Sequence, residues 1–290
     1  MATCLSNMIR EYCLDFIGIQ ETMKKDFSSK ILRKIDPEKS FCWKWIPSVG
    51  KSGGILCGIK HDTFDIRSCI VGRCVMKFEL WDKEKMNYSI LVVYGSAHEE
   101  FKVEFLTEFF DMCSNISCPY IAGGEFNILR HVGEKNKKTR LCHSSHMFNS
   151  IINSFSLREV DMNGGMYTWS NNQQNPTLEK LDRVLMSNSW ESLFPLTFVR
   201  KLVKEISYHC RLILNTEDLI PAPVRRREFR FHLNWLKNPD FLPLIAKVWM
   251  KLVNSNDPID ILNIKLKRFK KFFKGWGSNM FGHARKKRDC

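Results

Sequence analysis

The stretch Ile121-Ala122-Gly123-Gly124-Glu125-Phe126-Asn127 decides how the rest of the chain is read. An apolar strand runs into two glycines, then presents a carboxylate and an amide two residues apart. Glycine lets another group approach the backbone closely. In an extended segment residues i and i+2 point to the same side, so Glu125 and Asn127 are placed to converge on one ligand. A Gly-rich turn with an asparagine cap reads the same way in isolation, so the neighbouring motifs have to decide.

Upstream, an apolar strand over residues 15–20 ends in Gln20-Glu21-Thr22, a carboxylate at a strand end, where layered α/β folds usually meet their ligands. Downstream, Leu181-Asp182-Arg183-Val184-Leu185 is followed by Ser207-Tyr208-His209. A His paired with an Asp can be held in one tautomer and act on a phosphate. Each piece also has a plain structural reading, a solvated glutamate or a satisfied histidine in a strand. Gly50-Lys51-Ser52-Gly53-Gly54 is not a phosphate-binding P-loop, because that loop needs a glycine at position 45, which is Trp45.

The elements between these motifs are short. Strands are expected at 15–20, 54–59, 66–80 (one strand or two), 88–95, 119–125, 166–170, 181–187 and 206–215, all rich in Ile, Val and aromatics and punctuated by Gly or Asn. Helices are expected at 99–113 and 144–155. In the second, Met147, Phe148, Ile151, Ile152 and Phe155 form a stripe at helical spacing. Many strands with few helices between them predict two packed sheets with helices outside. After Pro221 and Pro223 the run Arg225-Arg226-Arg227 reads as a linker. Two helices then follow within 239–277, joined near 254–258. Ile259, Leu262, Leu266, Phe269, Phe273 and Trp276 step by three and four, the seam of a helical hairpin or coiled coil ringed by Lys265, Lys267, Lys270, Lys271 and Lys274.

The order of the motifs is more specific than any one of them. Gln20-Glu21-Thr22, Ser52-Gly53-Gly54-Ile55-Leu56, Val92-Val93-Tyr94-Gly95, Gly123-Gly124-Glu125-Phe126-Asn127, Tyr167-Thr168-Trp169-Ser170-Asn171, Leu181-Asp182-Arg183-Val184-Leu185 and Ser207-Tyr208-His209 together resemble the endonuclease/exonuclease/phosphatase superfamily. Within it the chain is similar to the endonuclease of plant LINE-type non-LTR retrotransposons. Phe229-Arg230-Phe231-His232, the stretch from Trp235 to Phe241, and Phe281-Gly282 resemble the segment that leads on to the reverse transcriptase in those polyproteins.

The resemblance implies a deoxyribonuclease-I-like, four-layered α/β sandwich of two mixed β-sheets flanked by helices over 1–217, a linker over 218–237 and a basic helical extension over 238–290. It implies a Mg²⁺-dependent DNA endonuclease, with Mn²⁺ as an alternative ion, that nicks its target by phosphodiester hydrolysis. Residue by residue, Glu21 matches the metal-binding glutamate, Tyr94 the tyrosine that contacts the phosphate, and Asn127 the asparagine of the Gly-Gly-Asp-Phe-Asn motif. His209 matches the catalytic histidine and Asp182 the aspartate that orients it. These five residues and Glu125 are expected at one rim of the sandwich. A hard cation on carboxylate oxygen polarises a phosphate, and His and Asn stabilise charge on its oxygens.

The chain departs from the family pattern at several places. Glu125 stands where the family has Asp, and one extra methylene shifts the carboxylate by about 1 Å, an error that can cost about a hundredfold in rate. Tyr208 stands where the family has the Asp of Ser-Asp-His, replacing a carboxylate by a neutral phenol. Arg211 stands where the family usually has Pro. The family's first strand, with its Asn-x-Arg-Gly motif, has no counterpart, since Asn7 is too close to Glu21 and lies in a stretch that reads as helix. These departures, and the absence of a reverse transcriptase after Phe281-Gly282, are read as an impaired, truncated element copy. The alternatives are a non-catalytic nucleic-acid-binding remnant and, behind that, a phosphatase of the same superfamily.

Bulk properties agree with a polyanion partner. The chain has 290 residues and a formal net charge of +14. Residues 221–290 hold 17 Lys/Arg against 5 Asp/Glu, while the first 220 hold 28 against 26. DNA is the expected partner, with RNA as a second polyanion for the basic C-terminal helices and the Lys-rich loop 134–140. Apolar runs are too short to span a membrane and no secretory signal is read, so the expected location is nuclear or cytoplasmic. The 11 cysteines, with no Cys-x-x-Cys, are expected to be free thiols.

Overall fold

In the computed structural model, Phe78, Val92, Ile121 and Val184 meet Ile55, Cys57, Ile59 and Val199 in one buried cluster, and this contact between two sets of strands is the centre of the fold. The structure describes residues 2–49, 53–202, 207–216, 239–253, 255 and 257–286. In chain order the elements are α1 (Ala2–Tyr12), β1 (Phe16–Ile19), α2 (Ser29–Ile35), β2 (Phe41–Ile46), β3 (Ile55–Lys60), β4 (Phe64–Val71), β5 (Val75–Asp82), β6 (Asn87–Tyr94) and α3 (Lys102–Ser114). There follow β7 (Tyr120–Glu125), α4 (His143–Ser154), β8 (Arg158–Glu159), β9 (Met162–Asn163), β10 (Trp169–Ser170), β11 (Leu178–Glu179), β12 (Asp182–Met186), α5 (Asn188–Leu193), β13 (Phe198–Lys201), β14 (Leu212–Asn215), α6 (Phe241–Trp249) and α7 (Pro258–Lys286).

Six strands form a mixed sheet in the order β4-β5-β6-β7-β12-β8. Only the β6–β7 pair within it is parallel, and α3 makes that crossover. Side chains alternate across this sheet as its pleat requires. Ile90 and Val92 of β6 face one cluster, while Leu91 and Val93 face the other, where Phe105, Leu106 and Phe109 of α3 and Phe148, Ile151 and Ile152 of α4 cover them. The opposite face carries two three-stranded sheets, β1-β3-β2 and β14-β13-β9. Beyond β1-β3-β2, Leu5 and Ile9 of α1 and Ile31, Leu32 and Ile35 of α2 pack on Leu56, Trp43 and Trp45. The layers therefore run helix, strand, strand, helix, the four-layered α/β sandwich expected from the motif order.

Among the described residues, neither the second edge of β1 nor that of β14 has a partner strand. Asn7 lies in α1, as the sequence suggested. Gly18 makes the close packing of β1 on the large sheet possible, because a Cβ there would lie 3.0 Å from Val92.

Several elements differ from expectation. Of the two readings left open for 66–80 the structure has two strands, β4 and β5, with a register shift between Ile66 and Ser68. The expected strand at 166–170 shrinks to Trp169–Ser170, paired with Leu178–Glu179. Of the one at 206–215, the described residues are regular strand only from Leu212. β2, β13, α2 and α5 were not expected. In the extension, Phe241 stacks on Phe273 and Trp249 on Phe269, so the seam closes there. Ile259, Leu262 and Leu266, on the same seam, are exposed, because α6 is only 9 residues long and does not reach them. The linker 218–237, with its Arg225-Arg226-Arg227 run, lies outside the described residues. The described cysteines are free thiols.

Candidate functional site

Register brings the first three residues together. In the large sheet Tyr94 of β6 is paired with Glu125 of β7, and Glu125 with Asp182 of β12. One row across three adjacent strands thus carries a phenol and two carboxylates at one rim. Gly124 makes the row compact. Its φ is +143°, and a Cβ there would sit 2.1 Å from the Val93 carbonyl oxygen, a conformation and a contact that only glycine tolerates.

Glu21 reaches the same rim from the other layer. It leaves β1 with φ +50°, an uncommon backbone for a non-glycine residue. The turn at Gly53 and Gly54 holds it there: Thr22 and Met23 donate their backbone N–H groups to the carbonyls of Gly54 and Gly53. A side chain at Gly54 would strike the Thr22 hydroxyl at 2.4 Å. The Tyr94 hydroxyl then donates to Glu21 Oε1 at 3.0 Å, joining the two sheets.

His209 closes the cluster. Its backbone forms a bridge with Trp169. Nδ1 lies 2.9 Å from Asp182 Oδ2, and Nε2 lies 3.5 Å from Glu125 Oε1. Asn127 also arrives here, but not by strand alternation. The strand ends at Glu125, Asn127 turns to φ +55°, and its amide donates to the Gly95 carbonyl at 2.9 Å. The structure thus brings together all six residues singled out from the sequence: Glu21, Tyr94, Glu125, Asn127, Asp182 and His209.

The electrostatics are those of a crowded acidic cleft. Burial raises the Glu125 carboxyl to about 8, with Asp182 and Glu21 adding to the rise and His209 and Asn127 opposing it. For His209, burial lowers the imidazole, but the hydrogen bond and charge of Asp182, then Glu125 and Glu21, outweigh it and the net shift is upward. Burial and the two glutamates push the Tyr94 phenol well above its ordinary value, so it stays a neutral donor. One ligand atom each from Glu21, Glu125 and His209 lie within 4.8 Å of one another. Two carboxylate oxygens and one imidazole nitrogen at that spacing fit a divalent cation, which would also offset the cost of burying the Glu125 charge near Asp182 and Glu21.

Two supporting groups were not singled out from the sequence. Thr168 is fully buried, and its hydroxyl accepts from the backbone N–H groups of Leu181 and Asp182, both at 3.0 Å. Its own carbonyl accepts from Cys210 N at 2.7 Å. One residue therefore ties the loop before β12 to the segment bearing His209; its place in Tyr-Thr-Trp-Ser-Asn was the available signal. Arg183, beside Asp182, has a fully buried side chain paired with Glu134 and Glu159. Tyr208, where the family has Asp, is 58% exposed and supplies no carboxylate to the cleft.

No protein-family model matches the chain, and no curated protein matches it in sequence. Its fold is nevertheless shared with solved structures. The endonuclease domain of TRAS1, a telomere-specific non-LTR retrotransposon, superposes with a TM-score of 0.54 at 10% identity, over 74% of this chain and 91% of that one. An AP endonuclease from Archaeoglobus fulgidus superposes with a TM-score of 0.56 at 11% identity, over 74% and 93%. At such identities the likeness shows a shared fold alone.

Proposed function

We propose that this chain is a divalent-metal-dependent DNA endonuclease of the non-LTR retrotransposon kind, working well below the rate of a relative with the complete carboxylate set. The observation that carries this reading is the convergence of Glu21, Glu125 and His209 within 4.8 Å at a rim that also holds Tyr94, Asn127 and Asp182. In this reading Glu21 and Glu125 would hold the cation, which when bound would supply Lewis-acid polarisation of a phosphate oxygen. Tyr94, kept protonated by its surroundings, donates towards the phosphate once Glu21 is engaged elsewhere. Asn127 is fixed by Gly95 beside Glu125. His209, held in one orientation by Asp182, supplies the nitrogen of the site.

The reduced rate follows from two positions. Glu125 places its carboxylate one methylene further out than an aspartate would, and Tyr208 removes a carboxylate from the rim. Each defect is worth about two orders of magnitude, though effects within one site do not add. The basic extension supports a nucleic-acid substrate. Lys265 lies 4.8 Å from the Trp249 ring centre, and Lys267, Arg268, Lys270 and Lys271 follow on α7. A second reading, binding of nucleic acid without cleavage, rests on the same helix.

The test is conversion of supercoiled plasmid to open circle by the chain in the presence of a divalent ion and in EDTA, with a small phosphomonoester assayed in parallel. Slow, EDTA-sensitive nicking without monoester hydrolysis is the expected result. Plasmid binding with no nicking under any ion supports the second reading, and monoester hydrolysis alone overturns both.

A further inference from the structure

We infer that the uncovered half of the α7 seam is a docking surface for another protein, and that its partner is an amphipathic helix with an apolar stripe and acidic flanks. The inference goes beyond the endonuclease reading and does not depend on it.

The observation is a seam covered over only part of its length. Ile259, Leu262, Leu266, Phe269 and Phe273 occupy successive a and d positions of one heptad pattern along α7. α6 packs on the later part, where Phe241 stacks on Phe273 and Trp249 on Phe269, and Phe273 is only 6% exposed. α6 ends at Trp249, whose ring centre lies 4.8 Å from Lys265 Nζ. Towards the start of α7 the same stripe is bare. Ile259 is 65%, Leu262 48% and Leu266 50% exposed, and Met250 and Leu252, which follow α6, are exposed too. The 9 residues of α6 cannot cover the 29 of α7, about 13 Å of helix against about 43 Å. Large apolar side chains in line with a closed helix–helix contact call for a partner of the shape that closes it, which is another helix.

Charge decides which helix. In a packed helix pair the e and g positions beside the seam set the choice of partner. From Pro258 to Phe272 those positions hold Pro258, Asn263, Lys265, Lys270 and Phe272, cations with no acid among them. The acids at the start of α7 are engaged elsewhere: Asp257 accepts from the Ile259 backbone N–H at 2.9 Å, and Asp260, at position b, is buried. A second α7 laid along the seam in either direction would set lysine against lysine, which disfavours a second copy as the occupant. Glutamate or aspartate on the flanks of a partner helix would meet Lys265 and Lys270 instead. Lys267, Arg268 and Lys271, at b, c and f, lie away from the seam, so a polyanion held there leaves the stripe open.

The test uses the whole chain and two labelled synthetic three-heptad peptides, both with leucine at a and d, one with glutamate and the other with lysine at e and g. Fluorescence anisotropy is expected to show saturable binding of the glutamate peptide, at least about tenfold tighter than the lysine peptide. Leu262→Asn/Leu266→Asn should weaken the glutamate peptide by about tenfold or more. Lys265→Glu/Lys270→Glu should reverse the order of the two peptides. Lys265→Gln/Lys270→Gln, which should abolish the discrimination, serves if circular dichroism shows that the charge reversal unfolds α7. Equal binding of the two peptides, binding of neither, or a preference that outlasts the lysine substitutions overturns the inference. Sedimentation as a dimer that Leu262→Asn/Leu266→Asn dissociates would assign the seam to a second copy. Flotation with phosphatidylserine vesicles, lost in the same variant, would assign it to a membrane surface. Either result also overturns the inference.

Discussion

His209 Nδ1 and Asp182 Oδ2 lie 2.9 Å apart although 27 residues separate them, and this contact joins the largest sheet to the segment that leads into β14. It fixes which imidazole nitrogen faces the cleft. Asp182→Asn keeps the shape but offers an amide in place of the carboxylate, so the ring can settle in the wrong tautomer. Nicking is expected to fall by about 10²- to 10⁴-fold, with the fold retained. Single-turnover nicking together with far-ultraviolet circular dichroism checks both halves.

Thr168 predicts a separate effect. Thr168→Val preserves volume but leaves the Leu181 and Asp182 N–H groups without their acceptor in a fully buried place. The expected cost is about 1–3 kcal/mol of stability, measured by urea denaturation. Nicking should fall as well, because Asp182 loses its anchor. Unchanged stability would contradict the role given to this hydroxyl.

Glu125 is a carboxylate whose burial works against folding. Its folded value of about 8 lies above the ordinary carboxylate range. A raised value means that the group favours the folded state while protonated, below its unfolded value, and loses that advantage as pH rises towards 8. Glu125→Gln should therefore stabilise the metal-free protein, by about 1 kcal/mol or more near pH 8 and by little near pH 4. Thermal unfolding at the two pH values, in EDTA, checks the sign.

Glu159 shows the opposite linkage. Burial raises it, but Arg183, then Lys180 and Arg130, overcome that and bring it to about 2. A depressed value contributes stability above the unfolded pKa, lost as pH falls from about 4.5 towards 2. Glu159→Ala leaves the buried Arg183 with one partner fewer and should cost about 3 kcal/mol at pH 7, with a smaller deficit at pH 3. Denaturation midpoints at both pH values measure it.

How much of this was legible in the sequence follows from the kind of signal each residue carries. Glu125, Asn127, Asp182 and His209 stand in motifs whose order is specific, and strand register then places them side by side. Strand β2, Phe41-Cys42-Trp43-Lys44-Trp45-Ile46, was missed although its aromatics favour a sheet and a turn at Pro37-Glu38 precedes it, because a single lysine among six residues leaves no alternation to read. α2 and α5, at 7 and 6 residues, are too short for a periodic stripe and are held by packing of Ile35 and Trp190. The role of Thr168 was hidden for another reason. A hydroxyl that accepts from two backbone groups 13 and 14 residues away leaves no local pattern. Glu125 and Asn127 meet through a left-handed turn, which spacing alone presented as simple alternation.

The central claim is metal-dependent hydrolysis at the rim shared by Glu21, Glu125 and His209, and it is tested most directly by comparing the unmodified chain with Glu21→Ala and with Glu125→Asp/Tyr208→Asp in one plasmid-nicking assay, with Mn²⁺ or Mg²⁺ and with EDTA. The account predicts slow nicking by the unmodified chain that EDTA and Glu21→Ala both abolish, and a partial gain, of about tenfold or more, when the two aspartates are restored. Nicking that survives in Glu21→Ala or in EDTA would contradict it.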